Sequence, residues 1–198
     1  RVKSEGYVLA EIRLKDLNPN EKDDGTMSLV KGVVTKFKEK NVTVEGFDMY
    51  TTSDVICGGG ISSSAAFETL VGTVIDLKYN EGKSTPFEIA QYGWFAENVF
   101  FGKKCGLLDQ TVSSYGGLVS IDFKDDSSPV IEKIDFDFEK YGYTLCVTDT
   151  KSSHENLTDD YVAIREEMKQ VAKYFDCEVL SEVNEKEFFS FVPNLRSF

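Results

Sequence analysis

Histidine is nearly missing from this 198-residue chain, which has only His154, and tryptophan and proline are scarce at one and four. The four cysteines, Cys57, Cys105, Cys146 and Cys177, form no Cys-x-x-Cys pair, so a structural zinc site of the usual kind is excluded and reduced thiols are expected. No apolar run has the length needed to span a bilayer, and no charged-then-apolar leader opens the chain, so the reading is a soluble cytoplasmic protein. An excess of positive charge is lacking too. Lys and Arg number 22 against 34 Asp and Glu, and a net charge of −12 repels duplex nucleic acid and anionic membranes on average. A local basic site for a small anion is compatible with that total. No internal repeat or low-complexity tract interrupts the order.

The most informative stretch is Gly58-Gly59-Gly60-Ile61-Ser62-Ser63-Ser64-Ala65-Ala66, between a strand-like run and an amphipathic helical one. Glycine lets backbone N–H groups converge without Cβ obstruction, and a helix starting at the serines adds its unpaired N–H groups and positive dipole end. Such a loop suits a triphosphate. It is not a Walker A loop, because no lysine follows, and Ser63 stands where a dinucleotide fingerprint needs its third glycine. The strand lysine and His-Arg-Asp loop of protein kinases are missing as well. An ordinary serine-capped helix is the plainer alternative.

Both strands and helices are expected, interleaved, giving an α+β fold. Residues 7–14 alternate as a strand, and Leu29, Val30, Val33, Val34 and Phe37 repeat with helical spacing. Residues 42–55 read as extended, and Phe67, Leu70, Val71, Val74 and Ile75 mark one face of a helix after the loop. Thr85-Pro86-Phe87-Glu88 predicts a capping box, with a helix from Pro86 to near Gly102. A short helix follows Asp109 and stops at Gly116-Gly117. Residues 118–123 and 143–148 then read as strands flanking a polar linker, and residues 158–175 form a last long helix carrying Tyr161, Ile164, Met168, Val171 and Phe175 on one side.

Two acids accompany the loop. Glu97 falls on the apolar side of the helix that begins at Pro86, where a carboxylate needs a cation or strong donors, and magnesium is one candidate. Asp109 sits in Cys105-Gly106-Leu107-Leu108-Asp109-Gln110, a turn between helices, placed to accept the proton of an attacking hydroxyl. Taken alone, each is more often a capping or solvent-facing acid. Cys105 reads as a small buried residue rather than a nucleophile, since no histidine is near it in sequence, and His154 as a loop or surface residue.

The glycine-serine stretch resembles the second motif of the GHMP small-molecule kinases. With Phe67-Glu68, Val30-Lys31-Gly32-Val33, Ala96-Glu97-Asn98, the hexapeptide 105–110, residues 118–122 and 143–150, and Tyr161 followed by Arg165, the resemblance is to the galactokinase family over nearly the whole chain. It implies ATP-dependent phosphorylation of the anomeric hydroxyl of galactose to galactose 1-phosphate, with ATP and Mg2+ required. It further implies that Gly58, Gly59, Gly60, Ser62, Ser63 and Ser64 hold the ATP phosphates and that Ser64 and Glu97 hold magnesium. Asp109 would be the catalytic base, and Gly106, Asp109 and Tyr161 would meet the sugar. The implied architecture is a ribosomal-protein-S5-like N-terminal domain over residues 1–152, followed by the start of a ferredoxin-like C-terminal domain over 153–198.

Departures from the family pattern are specific. Ile56 stands where proline is usual, and Thr26 replaces an aromatic residue expected near adenine. The opening motif with its Arg, Glu-His and Asp-Tyr is not in this sequence, nor is the late glycine-rich motif, and the surroundings of Arg1 do not match those of the catalytic arginine. The chain is therefore expected to be an excerpt of a longer protein, inactive by itself. A non-catalytic sensor of galactose and ATP, or a related sugar 1-kinase acting on N-acetylgalactosamine or arabinose, are the alternatives. Ser64-Ala65 after two other serines favours the enzyme.

Overall fold

A computed structural model describes residues 1–55, 60–148 and 158–192, with the side chains of residues 158 and 159 left out. Ile56, Cys57, Gly58, Gly59 and His154 therefore lie outside the described residues. The chain divides into two compact units, Arg1–Ser120 with Glu132–Glu155 and Ile121–Ile131 with Asn156–Phe198.

In the first unit a three-stranded sheet of order β2-β1-β3 comprises β1 (Val2–Ser4), β2 (Leu9–Ala10) and β3 (Met49–Thr51). β1 runs antiparallel to β2, with Val2 opposite Ala10, and parallel to β3, with Val2 opposite Met49. The single strand expected over 7–14 is corrected to the two residues of β2. A turn at Gly6 (φ +81°), closed by the Tyr7 N–H on the Ser4 carbonyl at 3.1 Å, folds the chain back first. In 42–55 only β3 pairs.

Four helices pack chiefly on one another, and the first three share a core with Val2 and Ala10 of the sheet. α1 (Gly25–Glu39) starts at Asp24, whose carboxylate accepts the Met27 N–H at 2.8 Å, and buries Val30, Val33, Val34 and Phe37. α2 (Ser63–Tyr79) buries Val71 and Ile75, but Leu70 points outward and Glu68 and Asp76 point inward, so its inner face is more polar than its spacing suggested. α3 (Pro86–Phe95) begins with the expected capping box. Thr85 Oγ1 accepts the Glu88 N–H at 3.2 Å, and the Glu88 carboxylate accepts the Thr85 N–H at 2.9 Å. The helix continues as a π turn over Ala96–Phe101 and ends at Gly102 (φ +78°). α4 (Leu108–Tyr115) closes the group.

Val2, Ala10, Val33, Val34, Phe37, Val71, Ile75, Ile89, Tyr92 and Ala96 form one core. Each large apolar side chain taken out of water there contributes about 1.5–3 kcal/mol. Gly32 sets the closest approach: a Cβ at that position would fall 2.5 Å from the Ala96 Cα, so α1 lies backbone-to-backbone on the π turn.

β4 (Leu118–Asp122) pairs with β5 (Val130–Ile134), a strand inside the stretch expected to be a polar linker. The expected strand over 143–148 is corrected: among the described residues these positions pair with no strand, and Tyr143, Leu145 and Val147 are exposed. In the second unit, α5 (Thr158–Tyr174) buries Ala172, while Tyr161, Ile164 and Met168 of its expected inner face are exposed. Phe175 meets the Phe188 and Phe191 rings of α6 (Glu185–Phe191) at centroid distances of 6.2 and 5.7 Å.

Candidate active site

The site gathers at the start of α2. Gly60 has φ +73°, and Ser62, at the cap position, has φ +60°, a left-handed conformation that costs a non-glycine residue free energy. The Ser62 side chain makes no capping bond, so the positive end of α2 is not neutralised by its own cap.

One turn in, the half-buried Ser64 donates its Oγ–H to Glu97 Oε1 at 3.1 Å. Glu97 is 2% exposed and sits on the π turn. The Lys103 ammonium lies 3.6 Å from the same oxygen. Glu97 Oε2 accepts from Gln110 Nε2 at 2.8 Å and from the Cys105 thiol at 3.4 Å. Gln110, fully buried on α4, gives its other amide hydrogen to Glu68 Oε2 of α2 at 3.1 Å. Three segments far apart in sequence thus meet on one amide.

Burial, and then the charge of Glu97, push the Glu68 carboxyl up to about 9, so it holds its proton at neutral pH. The same two causes push the Cys105 thiol up to about 12. It is a hydrogen-bond donor and not a nucleophile, as its sequence context suggested. Glu68 Oε1 and Gln110 Oε1 are buried and accept no hydrogen bond, a cost of about 1–3 kcal/mol each. The absence of a side chain at Gly93 leaves room for this cluster: a Cβ there would lie 3.0 Å from Glu68 Oε2 and 3.3 Å from Gln110 Cγ.

Asp109, expected in a turn, lies instead within the first turn of α4, exposed and next in sequence to the buried Gln110. Gly106 is exposed, and a Cβ built on it would meet nothing within 4 Å, so space is open beside the turn. That turn is fixed from α3 and the π turn. Trp94 Nε1–H donates to the Cys105 carbonyl at 3.0 Å, and Asn98 Oδ1 accepts the Cys105 N–H at 3.2 Å. Tyr161 belongs to the second unit, exposed on α5.

The structure thus brings Ser64 and Glu97 into contact and places Asp109 on α4, next in sequence to the Gln110 that hydrogen-bonds Glu97. Sequence reasoning assigned no role to Glu68, Gln110, Asn98, Trp94 or Lys103. The one available signal was Glu68, an acid at helical spacing from the buried Ala65, Val71 and Ile75. Among the described residues no group of three or more His, Cys, Asp or Glu side chains forms a ready-made metal cage, and no helix is long and apolar enough to cross a membrane. A groove of about 340 Å³ in the second unit, lined by Asp122, Lys124, Asp125, Glu178 and Glu182 among others, includes none of these candidate residues.

Residues 28–117 match the family model "GHMP kinases N terminal domain". Over that segment the chain is similar to GHMP kinase N-terminal domains, and its fold is α+β. The chain is 32% identical over 181 residues to the galactokinase of Glaesserella parasuis serovar 5, covering 89% of this chain and 45% of that protein. It is 30% identical over 176 residues to the galactokinase of Streptomyces coelicolor, covering 87% and 44%. The crystal structure of Lactococcus lactis galactokinase complexed with galactose superposes with a TM-score of 0.73 at 22% identity, over 99% of this chain and 52% of that one. The chain therefore spans about half the length of the relatives it matches.

Proposed function

We propose that this chain supplies the ATP-binding part of a galactokinase, which transfers the γ-phosphoryl group of ATP to the anomeric hydroxyl of galactose and releases galactose 1-phosphate and ADP. The observation that carries this reading is the Ser64–Glu97 pair at the positive end of α2, on the helix group that also presents Asp109. Similarity to galactokinases over most of the chain supports the choice of sugar.

The N-terminal turn of α2, with Gly58, Gly59, Gly60, Ser62, Ser63 and Ser64, binds the phosphates through backbone N–H groups and hydroxyls. Neighbouring ligands around a six-coordinate magnesium with bonds of about 2.1 Å lie about 3.0 Å apart. Ser64 Oγ and Glu97 Oε1, 3.1 Å apart, fit two such positions. Ser64 and Glu97 would hold magnesium there, and its chemistry when bound with the nucleotide would be neutralisation of phosphate charge. Asp109 takes the proton of the sugar hydroxyl as that oxygen attacks phosphorus, while Gly106 contacts the sugar. Residues 1–152 form the N-terminal domain and 153–198 the beginning of the C-terminal one. The cytoplasm is the proposed compartment, supported by the free thiols Cys105, Cys146 and Cys177.

The test is galactose-dependent ADP release by a polypeptide that joins this chain to the galactokinase opening motif, with N-acetylgalactosamine and arabinose as competing sugars. Turnover highest on galactose is expected, and little or none from the 198 residues alone. ADP release that no sugar stimulates overturns the reading.

A further inference from the structure

Glu97 can serve a metal only if one of its oxygens stays turned toward Ser64, and nothing on its own π turn fixes that orientation. We infer that Gln110, with Glu68 behind it, is the positioning residue that locks the Glu97 carboxylate and ties it in register with Asp109. The inference rests on the reading of Glu97 as a magnesium ligand.

The argument is one of donors and acceptors. The Gln110 amide has two hydrogens on Nε2, and both are used, on Glu97 Oε2 at 2.8 Å and on Glu68 Oε2 at 3.1 Å. The reverse amide orientation would aim its carbonyl oxygen at the charged Glu97 carboxylate, so Glu97 selects the one in which nitrogen faces it. The Cys105 thiol adds a second donor to Glu97 Oε2, at 3.4 Å. With Oε2 held on one side, the planar carboxylate turns Oε1 toward Ser64, at 3.1 Å, and toward the Lys103 ammonium, at 3.6 Å. Glu68 acts through Gln110 and also faces Glu97 directly, with a hydrogen bond between the two carboxyl groups.

The same bond reaches the other acid. Gln110 is buried and Asp109, one residue earlier on α4, is exposed. Fixing the inward side chain fixes the helical turn that presents the outward one. A buried polar cluster of this kind is a poor stabiliser compared with well-packed apolar residues. Two of its oxygens have no partner, so packing alone does not account for it.

The test uses Mn2+, visible by electron paramagnetic resonance, titrated into the 198-residue chain with saturating ATP, alongside ATP binding in EDTA and circular dichroism. Glu97→Gln should weaken Mn2+ binding at least tenfold. Gln110→Met and Glu68→Leu should each weaken it by about tenfold, the usual cost of losing a group that orients a metal ligand, while changing ATP affinity in EDTA less than about twofold. Glu68→Gln, which keeps an oxygen acceptor in place, should restore binding to within about threefold of wild type. If Glu97→Gln weakens Mn2+ but Gln110→Met and Glu68→Leu do not, the positioning role is overturned and the ligand reading stands. Equal losses with and without the metal also overturn it, since they mark a purely structural effect. Unchanged Mn2+ binding by Glu97→Gln overturns the ligand reading itself. Should Gln110→Met unfold, the contrast between Glu68→Leu and Glu68→Gln decides the matter.

Discussion

Gly93 of α3 lies directly against Glu68 of α2, and the missing methyl group at 93 is what lets a carboxyl reach the amide of Gln110. Gly93→Ala would put a Cβ 3.0 Å from both Glu68 Cβ and Oε2. Alanine favours a helix over glycine by about 1 kcal/mol, but overpacking costs about 1–3 kcal/mol, and Glu68 Cβ is fixed to a packed backbone. The clash should win. Chemical denaturation should show a net loss of about 1–2 kcal/mol, and a gain in stability would contradict the packing described.

The raised Glu68 carboxyl makes stability depend on pH. Its folded value of about 9 lies above the ordinary 4.5, so between these limits the unfolded chain gives up a proton that the folded one keeps. Stability contributed by this group is fully present below pH 4.5 and is lost as pH rises toward 9, at up to about 1.4 kcal/mol per unit. Glu68→Gln removes that dependence. Melting curves at pH 5 and 8.5 should show the variant losing less stability than wild type over this interval. An identical loss in both would refute the assignment.

Lys31 and Asp23 form a buried pair at 2.6 Å, with the side chains only 8% and 6% exposed, and Lys31 also donates to the Asn18 carbonyl at 3.3 Å. Asp23→Ala strands the ammonium among apolar neighbours. The expected loss, by urea denaturation, is about 3–5 kcal/mol.

Asp109→Asn keeps the shape of the side chain but cannot take a proton. In the galactokinase-competent polypeptide, turnover should fall by about 10²–10⁴-fold. Binding of galactose and ATP, measured calorimetrically, should persist. Full turnover would remove Asp109 from the role of base, and a protein that binds both ligands without turnover even as wild type would be a sensor.

Local chemistry was legible in the sequence. Thr85, Pro86 and Glu88 announced α3, because a capping box is closed within four residues and needs no distant partner. Ser64, Glu97 and Asp109 were found through motifs. The reading failed where meaning depends on what the chain brings alongside. Residues 130–134 pair with β4 and 143–148 pair with nothing described, yet both alternate. The bridge from Glu68 through Gln110 to Glu97 joins residues 42 and 13 positions apart, beyond the reach of any periodicity.

The stretch from 143 to 148, which pairs with no described strand, bears on how the chain behaves in solution. Tyr143, Leu145 and Val147 are 65%, 77% and 69% exposed, and a β-prone segment without a ladder invites the same segment of another molecule. Net charge opposes that meeting through long-range repulsion, which salt screens. Precipitation in high salt and clear solutions in low salt follow, and a lysine in place of Leu145 is the gatekeeper that would lift the restriction.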